Sequence, residues 1–275
     1  PSSAASDVYK RQIGMLERKF TSFLESFLLE EPNKILLVNG ARQIGKSYLI
    51  RYVGQKLFRH YVEINLKEDI EGDKVFADVH TTTDLYMRLS NFYSSPLGDK
   101  TDTLVFLDEI QSYPHLMTML KFLNGESRYR FIASGSQLGV ALSETPSVPL
   151  GSVTIEQMYP LDFEEFLWAT GVGKEWIENI REHFTHEESL DESTHNILLK
   201  RFQYYLLVGG LPEAINNYLA DRNMVRVRQT HRDIHNLYRI DASQYDEEHK
   251  LKIRKIYDLI PSILENKKKR VVYKN

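Results

Sequence analysis

The sequence predicts an α/β protein, a doubly wound parallel sheet built around a glycine-bounded loop and followed by an all-helical region. Three observations carry that prediction. A short apolar run, Ile35-Leu36-Leu37-Val38, leads into Gly40-x-x-x-x-Gly45-Lys46-Ser47 and then into a helical pattern. A second apolar run, Thr103 to Leu107, ends in the carboxylates Asp108 and Glu109. Strand and helix patterns alternate to about residue 160, and beyond it the pattern is helical only.

The first run predicts a strand over 34–39, a loop, and a helix carrying Tyr48, Leu49, Tyr52 and Val53. In that context consecutive backbone N–H groups and the positive end of the helix form an anion cradle. Glycine suits positions 40 and 45 because the backbone turns tightly and approaches phosphate oxygens where a Cβ would clash. Gly40, Ala41, Arg42, Gln43, Ile44, Gly45, Lys46, Ser47 and Tyr48 are therefore the candidate nucleotide-binding residues. Lys46 supplies a mobile charge for the β- and γ-phosphates, and Ser47 a hydroxyl ligand for Mg²⁺.

A buried parallel strand ending at Asp108 places that carboxylate where open α/β sheets bind ligands, as the second Mg²⁺ partner beside Ser47. Glu109 leaves the strand tip in another direction and can serve as general base for an attacking water. The competing explanation, that both carboxylates only cap the next helix, is weaker beside a phosphate loop. A third strand, Tyr129 to Ala133, ends in Ser134-Gly135-Ser136. Ser134 is the candidate for contacting the γ-phosphate or orienting the water, with Ser136 second.

The remaining elements follow in order. Ile13, Leu16, Phe20, Phe23, Leu24, Phe27 and Leu28 recur at steps of three and four, predicting an amphipathic helix that Glu31-Pro32-Asn33 ends. Tyr61 to Asn65 alternates as a strand, and helices are predicted over 83–93 and 115–123. Residues 137–152, with Pro146, Pro149 and Gly151, read as a loop, and Val153 to Met158 as a fifth strand closed by Pro160. A boundary is expected at 159–162. Gly209-Gly210-Leu211-Pro212 interrupts the helical half, and a long helix is expected over 223–240.

Composition sets the bounds. The chain of 275 residues is 42% hydrophobic and 27% charged with a formal net charge of −3, enough for a full core and a balance that does not by itself suggest nucleic acid. It has no cysteine, which excludes disulfides and cysteine–zinc sites and fits a cytoplasmic location. No apolar run approaches the length needed to span a bilayer, so no membrane partner is expected. Residues 1–12 lack a signal core and read as a foreign leader, and the break at Asn275 inside an apolar pattern suggests a fragment.

At these motifs the chain resembles a prokaryotic family, the AAA-type ATPases with a C-terminal domain of unknown function. GARQIGKS, LVFLDEIQ, the ASGS tip, PLGSVTIEQMYPLDFEEFLWA and YLLVGGLPEAINNYL carry the likeness. It implies a P-loop AAA+ core over 13–160, a helical lid over 161–245, and the start of a winged-helix segment over 246–275. Gly40 to Ser47 would be the Walker A loop, Asp108-Glu109 the Walker B pair, and Ser134 the sensor. Pro212 would set the lid over the nucleotide, and ATP with Mg²⁺ would be the ligands. Relatives carry arginine after the glycine matched by Gly151, where this chain has Ser152. Arg128, Arg130 and Arg42 are the candidates to replace that charge.

Other signals are weaker. His231 and His235 share a helix face at metal-ligand spacing, but with no third ligand evident a solvated face explains them better. Lys267-Lys268-Lys269-Arg270 can touch phosphate backbones, although such runs usually end solvated helices. Met158 to Leu161 with Phe163, Phe166, Leu167 and Trp168 fits core better than a partner surface. Three functions remain in play: an Mg²⁺-dependent ATPase, a slow nucleotide-held switch, and an ATPase that meets DNA or a protein partner through its C-terminal region.

Overall fold

The computed structural model describes residues 15–92, 97–123, 127–136, 152–243 and 249–265. Its centre is a sheet of β1 (Ile35–Asn39), β2 (His60–Asn65), β3 (Thr103–Asp108), β4 (Arg130–Gly135) and β5 (Val153–Gln157). The strand order is β2-β3-β4-β1-β5, and every neighbouring pair is parallel. β4 thus lies between the strand that feeds the phosphate loop and the strand that ends in Asp108. Register aligns the strand ends: Asn39 is paired with Gly135 and Gln157, and Asp108 with Asn65.

The apolar runs are continuous because these strands are covered on both faces. Side chains alternate with period two. Ile35, Leu37, Val105, Leu107, Phe131 and Ala133 join one core, completed by Leu85 and Leu89 of α4 (Thr82–Phe92) and Leu116 of α5 (Pro114–Met119). Leu36, Val38, Leu104, Phe106 and Ile132 join the other, with Leu24 and Phe27 of α1 (Lys19–Glu30) and Leu49, Ile50 and Val53 of α2 (Lys46–Leu57). Burying a side chain of this size stabilises by roughly 1.5–3 kcal/mol, so the two cores hold the sheet rigid beneath the loop.

Some elements depart from expectation. α1 starts at Lys19, after Leu16, because Arg18 is extended at φ −130° and ψ 137°; Ile13 and the expected leader over 1–12 lie outside the described residues. β4 runs on to Gly135, so Ser134 lies within the strand rather than beyond it. A short helix, α3 (Leu66–Glu71), follows β2 directly, started by the Asn65 side chain accepting from the backbone N–H groups of Lys67 and Glu68. The predicted 115–123 helix is α5 followed by a 3₁₀ turn over Leu120–Phe122. Of the expected loop over 137–152, residues 137–151, with Pro146, Pro149 and Gly151, lie outside the described residues.

After β5 the chain is helical: α6 (Phe163–Ala169), α7 (Lys174–Thr185), α8 (Glu192–Val208), α9 (Pro212–Asp221), α10 (Met224–Ala242) and α11 (Lys250–Glu265). α6 opens on a reciprocal cap in which Asp162 accepts from the Glu165 backbone and Glu165 accepts from the Asp162 backbone. The chain divides into two compact units after Pro212. The expected 159–162 boundary falls within the first of them. In the second unit Asn217 donates to Thr230 Oγ1 at 2.9 Å, His235 stacks on Tyr257 with ring centroids 4.8 Å apart, and Arg254 donates to Ser243 Oγ at 3.1 Å. The basic run 267–270 lies outside the described residues. Among the described residues no helix is long and apolar enough to cross a membrane.

Candidate functional site

The loop between β1 and α2 is shaped by two glycines. Gly45 is the N-cap of α2 at φ +94°, a left-handed conformation that side chains with a Cβ avoid. At Gly40 a Cβ would come within 2.5 Å of the Met158 carbonyl oxygen, a backbone atom that cannot move aside. Met158 is fixed there because its N–H donates to Asn39 O at 2.8 Å, extending the β1–β5 ladder. Gln43 is also left-handed, at φ 63°.

Lys46 occupies the first turn of α2 and folds its ammonium back over the loop, donating to Gly40 O and Ala41 O, each at 2.9 Å. Burial pushes this ammonium below its ordinary range, against the opposing pull of Glu109 and Asp108, and Arg42 adds a smaller push downward. Ser47 donates to Asp108 Oδ2 at 2.6 Å. Asp108 Oδ1 accepts from the fully buried Ser134 hydroxyl and from the Glu109 N–H at 3.0 Å. Residues 46, 47, 108 and 134, contributed by α2 and by the ends of β3 and β4, thus form one cluster.

Glu109 stands beside that cluster with hydrogen-bond partners of its own. Its backbone is left-handed, φ 54° and ψ 47°, a conformation that costs a non-glycine residue roughly 1 kcal/mol and persists where surroundings enforce it. Its Oε2 accepts from Gln111 and, at 3.2 Å, from Ser136. Arg42 Nε in turn donates to Ser136 Oγ at 3.4 Å. The two serines of the β4 end therefore divide the carboxylates: Ser134 serves Asp108 and Ser136 serves Glu109.

Other predicted residues are placed as follows. Tyr48 is exposed in the first turn of α2. Pro212 Cγ lies 3.8 Å from the point where a Gly45 Cβ would stand, so this proline borders the loop. Of the three arginines proposed to supply charge, only Arg42 reaches the cluster. Arg130 begins β4 at the opposite end of the sheet and donates to Leu28 O at 2.7 Å, and Arg128 precedes it and lies over the Tyr129 ring. Ser152 sits at that same far end, its carbonyl accepting from Ile35 N–H at 3.1 Å. The five residues of β5, about 16 Å of strand, separate it from the loop end, so the serine there takes no charge from the cradle.

One residue escaped the sequence reading. Arg18 is buried and bridges three elements: Nε to Glu165 Oε1 at 3.2 Å, Nη1 to Ile44 O at 3.1 Å, and Nη2 to Tyr159 O at 2.6 Å. The only available signal was a single arginine at the head of an apolar helical pattern.

A glycine-capped loop on a helix N-terminus, with a lysine folded over it and a serine held on a strand-end aspartate, defines a P-loop nucleotide-binding fold of α/β type. Residues 32–167 match the AAA domain family, and residues 199–275 match a domain of unknown function. Together with the site geometry, the match over residues 32–167 supports a P-loop ATPase of AAA type. An uncharacterized protein of Methanocaldococcus jannaschii is 25% identical over 183 residues, 66% of this chain and 36% of its own length. The chain therefore spans little more than a third of that curated relative. Similar solved structures include a Walker-type ATPase of Pyrococcus abyssi, with TM-score 0.46 and 15% identity over 91% of this chain and 78% of that one. C. elegans PCH-2 has TM-score 0.43 and 12% identity over 77% and 67%.

Proposed function

We propose that this chain binds ATP with Mg²⁺ on the Gly40–Ser47 loop and hydrolyses it. The observation that carries the proposal is the 2.6 Å hydrogen bond from Ser47 to Asp108, which joins the loop to the end of β3. Both groups present hard oxygens, the donor type that magnesium takes. Ser47 and Asp108 would hold the ion, which when bound offsets charge on the phosphate oxygens. Loop amides and Lys46 would bind the phosphates, with Lys46 exchanging its carbonyl partners for phosphate oxygens. Glu109 takes a proton from water as the water oxygen bonds to the γ-phosphorus and the bond to the β-phosphate oxygen breaks, leaving ADP. Ser134 orients Asp108, and Pro212 packs beside the loop. Repeated release of phosphate from purified protein with Mg·ATP tests this; calorimetry that detects no nucleotide binding to folded protein refutes it.

A second reading is a slow switch that holds its nucleotide. It is favoured by the Glu109 carboxylate, whose Oε2 accepts from Gln111 and Ser136, bonds that oppose reorientation of the side chain toward a water. Nucleotide retained through extensive washing, with turnover too slow to follow as a steady state, distinguishes it.

A further inference from the structure

We propose that Arg18 is a positioning residue of the phosphate loop, and that it works through the Ile44–Gly45 peptide. This rests on the nucleotide-binding role of the loop. In a trans peptide the C=O and the following N–H point in opposite directions. Arg18 Nη1 holds Ile44 O at 3.1 Å from beneath the loop, in a buried setting. That contact aims the Gly45 N–H the other way, toward the cradle where phosphate oxygens dock. Gly45 is left-handed at φ +94° and lacks a Cβ to resist rotation, so its peptide needs an external hold.

The arginine is itself fixed from two further sides. Its Nε is paired with the buried Glu165 carboxylate at 3.2 Å, and its Nη2 donates to Tyr159 O at 2.6 Å. Glu165 Oε1 also accepts from Lys19 N–H at 2.7 Å, which anchors the start of α1 to the same carboxylate. A planar guanidinium with several forked donors can serve three acceptors in fixed directions, which an ammonium cannot do with the same geometry. The loop is thereby tied to the turn after β5 and to the head of α6.

A buried ion pair can also be purely architectural, and the test separates the two roles. Breaking one partner leaves an uncompensated charge and destabilises, whereas neutralising both is often tolerated. The double variant Arg18→Met with Glu165→Gln removes both charges and also removes the donor to Ile44 O. Mg·ADP and Mg·ATP affinities are measured by calorimetry and thermal midpoints by circular dichroism. The proposal expects the double variant to approach wild-type stability while binding nucleotide about tenfold more weakly. Recovery of both stability and affinity overturns it.

If the double variant does not fold, Arg18→Lys decides, since it keeps the charge opposite Glu165 but not the fork. Affinity at least about tenfold weaker in the folded lysine variant supports the role, and wild-type affinity refutes it. Wild-type protein that binds neither nucleotide refutes the underlying function and this inference with it. Wild-type binding that the variants match refutes the inference alone.

Discussion

Ser47 donates its hydroxyl to Asp108 Oδ2 across 2.6 Å, joining residues 61 positions apart in the chain. The pair brings the first turn of α2 onto the end of β3. Asp108→Asn keeps the size of the side chain and removes its charge. Phosphate release is expected to fall by at least about 100-fold, with nucleotide binding in the absence of magnesium little changed. Rates measured across a magnesium titration check this; an unchanged magnesium dependence contradicts the assignment.

Glu109→Gln is expected to bind Mg·ATP with near wild-type affinity and to lose turnover by about 10²–10⁴-fold. The amide can still accept from Gln111 or Ser136, so the strand end should keep its shape. Single-turnover assays with the variant provide the measurement. Undiminished hydrolysis removes Glu109 from the base role.

Lys46 gives a pH signature. Burial lowers its ammonium below the ordinary lysine range of 10.5, and bound phosphate would favour the charged form. As pH rises through the lowered value, the free protein loses the proton that binding requires, so affinity must fall. The decline should begin on the acid side of 10.5, a shift toward neutral pH relative to an unperturbed lysine. Affinity titrations on the alkaline side test the sign, and Lys46→Ala should lose measurable binding at every pH.

Gly40→Ala would place a Cβ 2.5 Å from the Met158 carbonyl oxygen. Relief requires the loop or the β5 end to shift, with an expected cost of about 1–3 kcal/mol and loss of nucleotide binding. A thermal midpoint equal to wild type would show that the close approach is not obligatory.

Much of this arrangement was legible in the residues. The runs at 35–38 and 103–107 declare strands buried on two faces, and the glycine spacing with Lys46 and Ser47 declares the loop. What stayed hidden depended on who neighbours whom. No local pattern states that β4 enters between β1 and β3, so the separate partnerships of Ser134 with Asp108 and Ser136 with Glu109 could not be told apart. α3 was hidden because its six residues are too few to establish a period, and its start depends on the Asn65 cap. Arg18 was hidden for a related reason: its three acceptors lie at positions 44, 159 and 165, far away in sequence.

The place of β1 in the sheet has a consequence for biosynthesis. Its ladder neighbours are β4 and β5, residues 130–135 and 153–157, while β2 and β3 can pair with each other much sooner. On the ribosome the strand bearing the nucleotide loop emerges early and then waits, its backbone unmatched, until roughly a hundred further residues have been translated. Nascent chains arrested before residue 130 should therefore show no affinity for immobilised nucleotide, and binding should first appear once the later strands have cleared the exit tunnel.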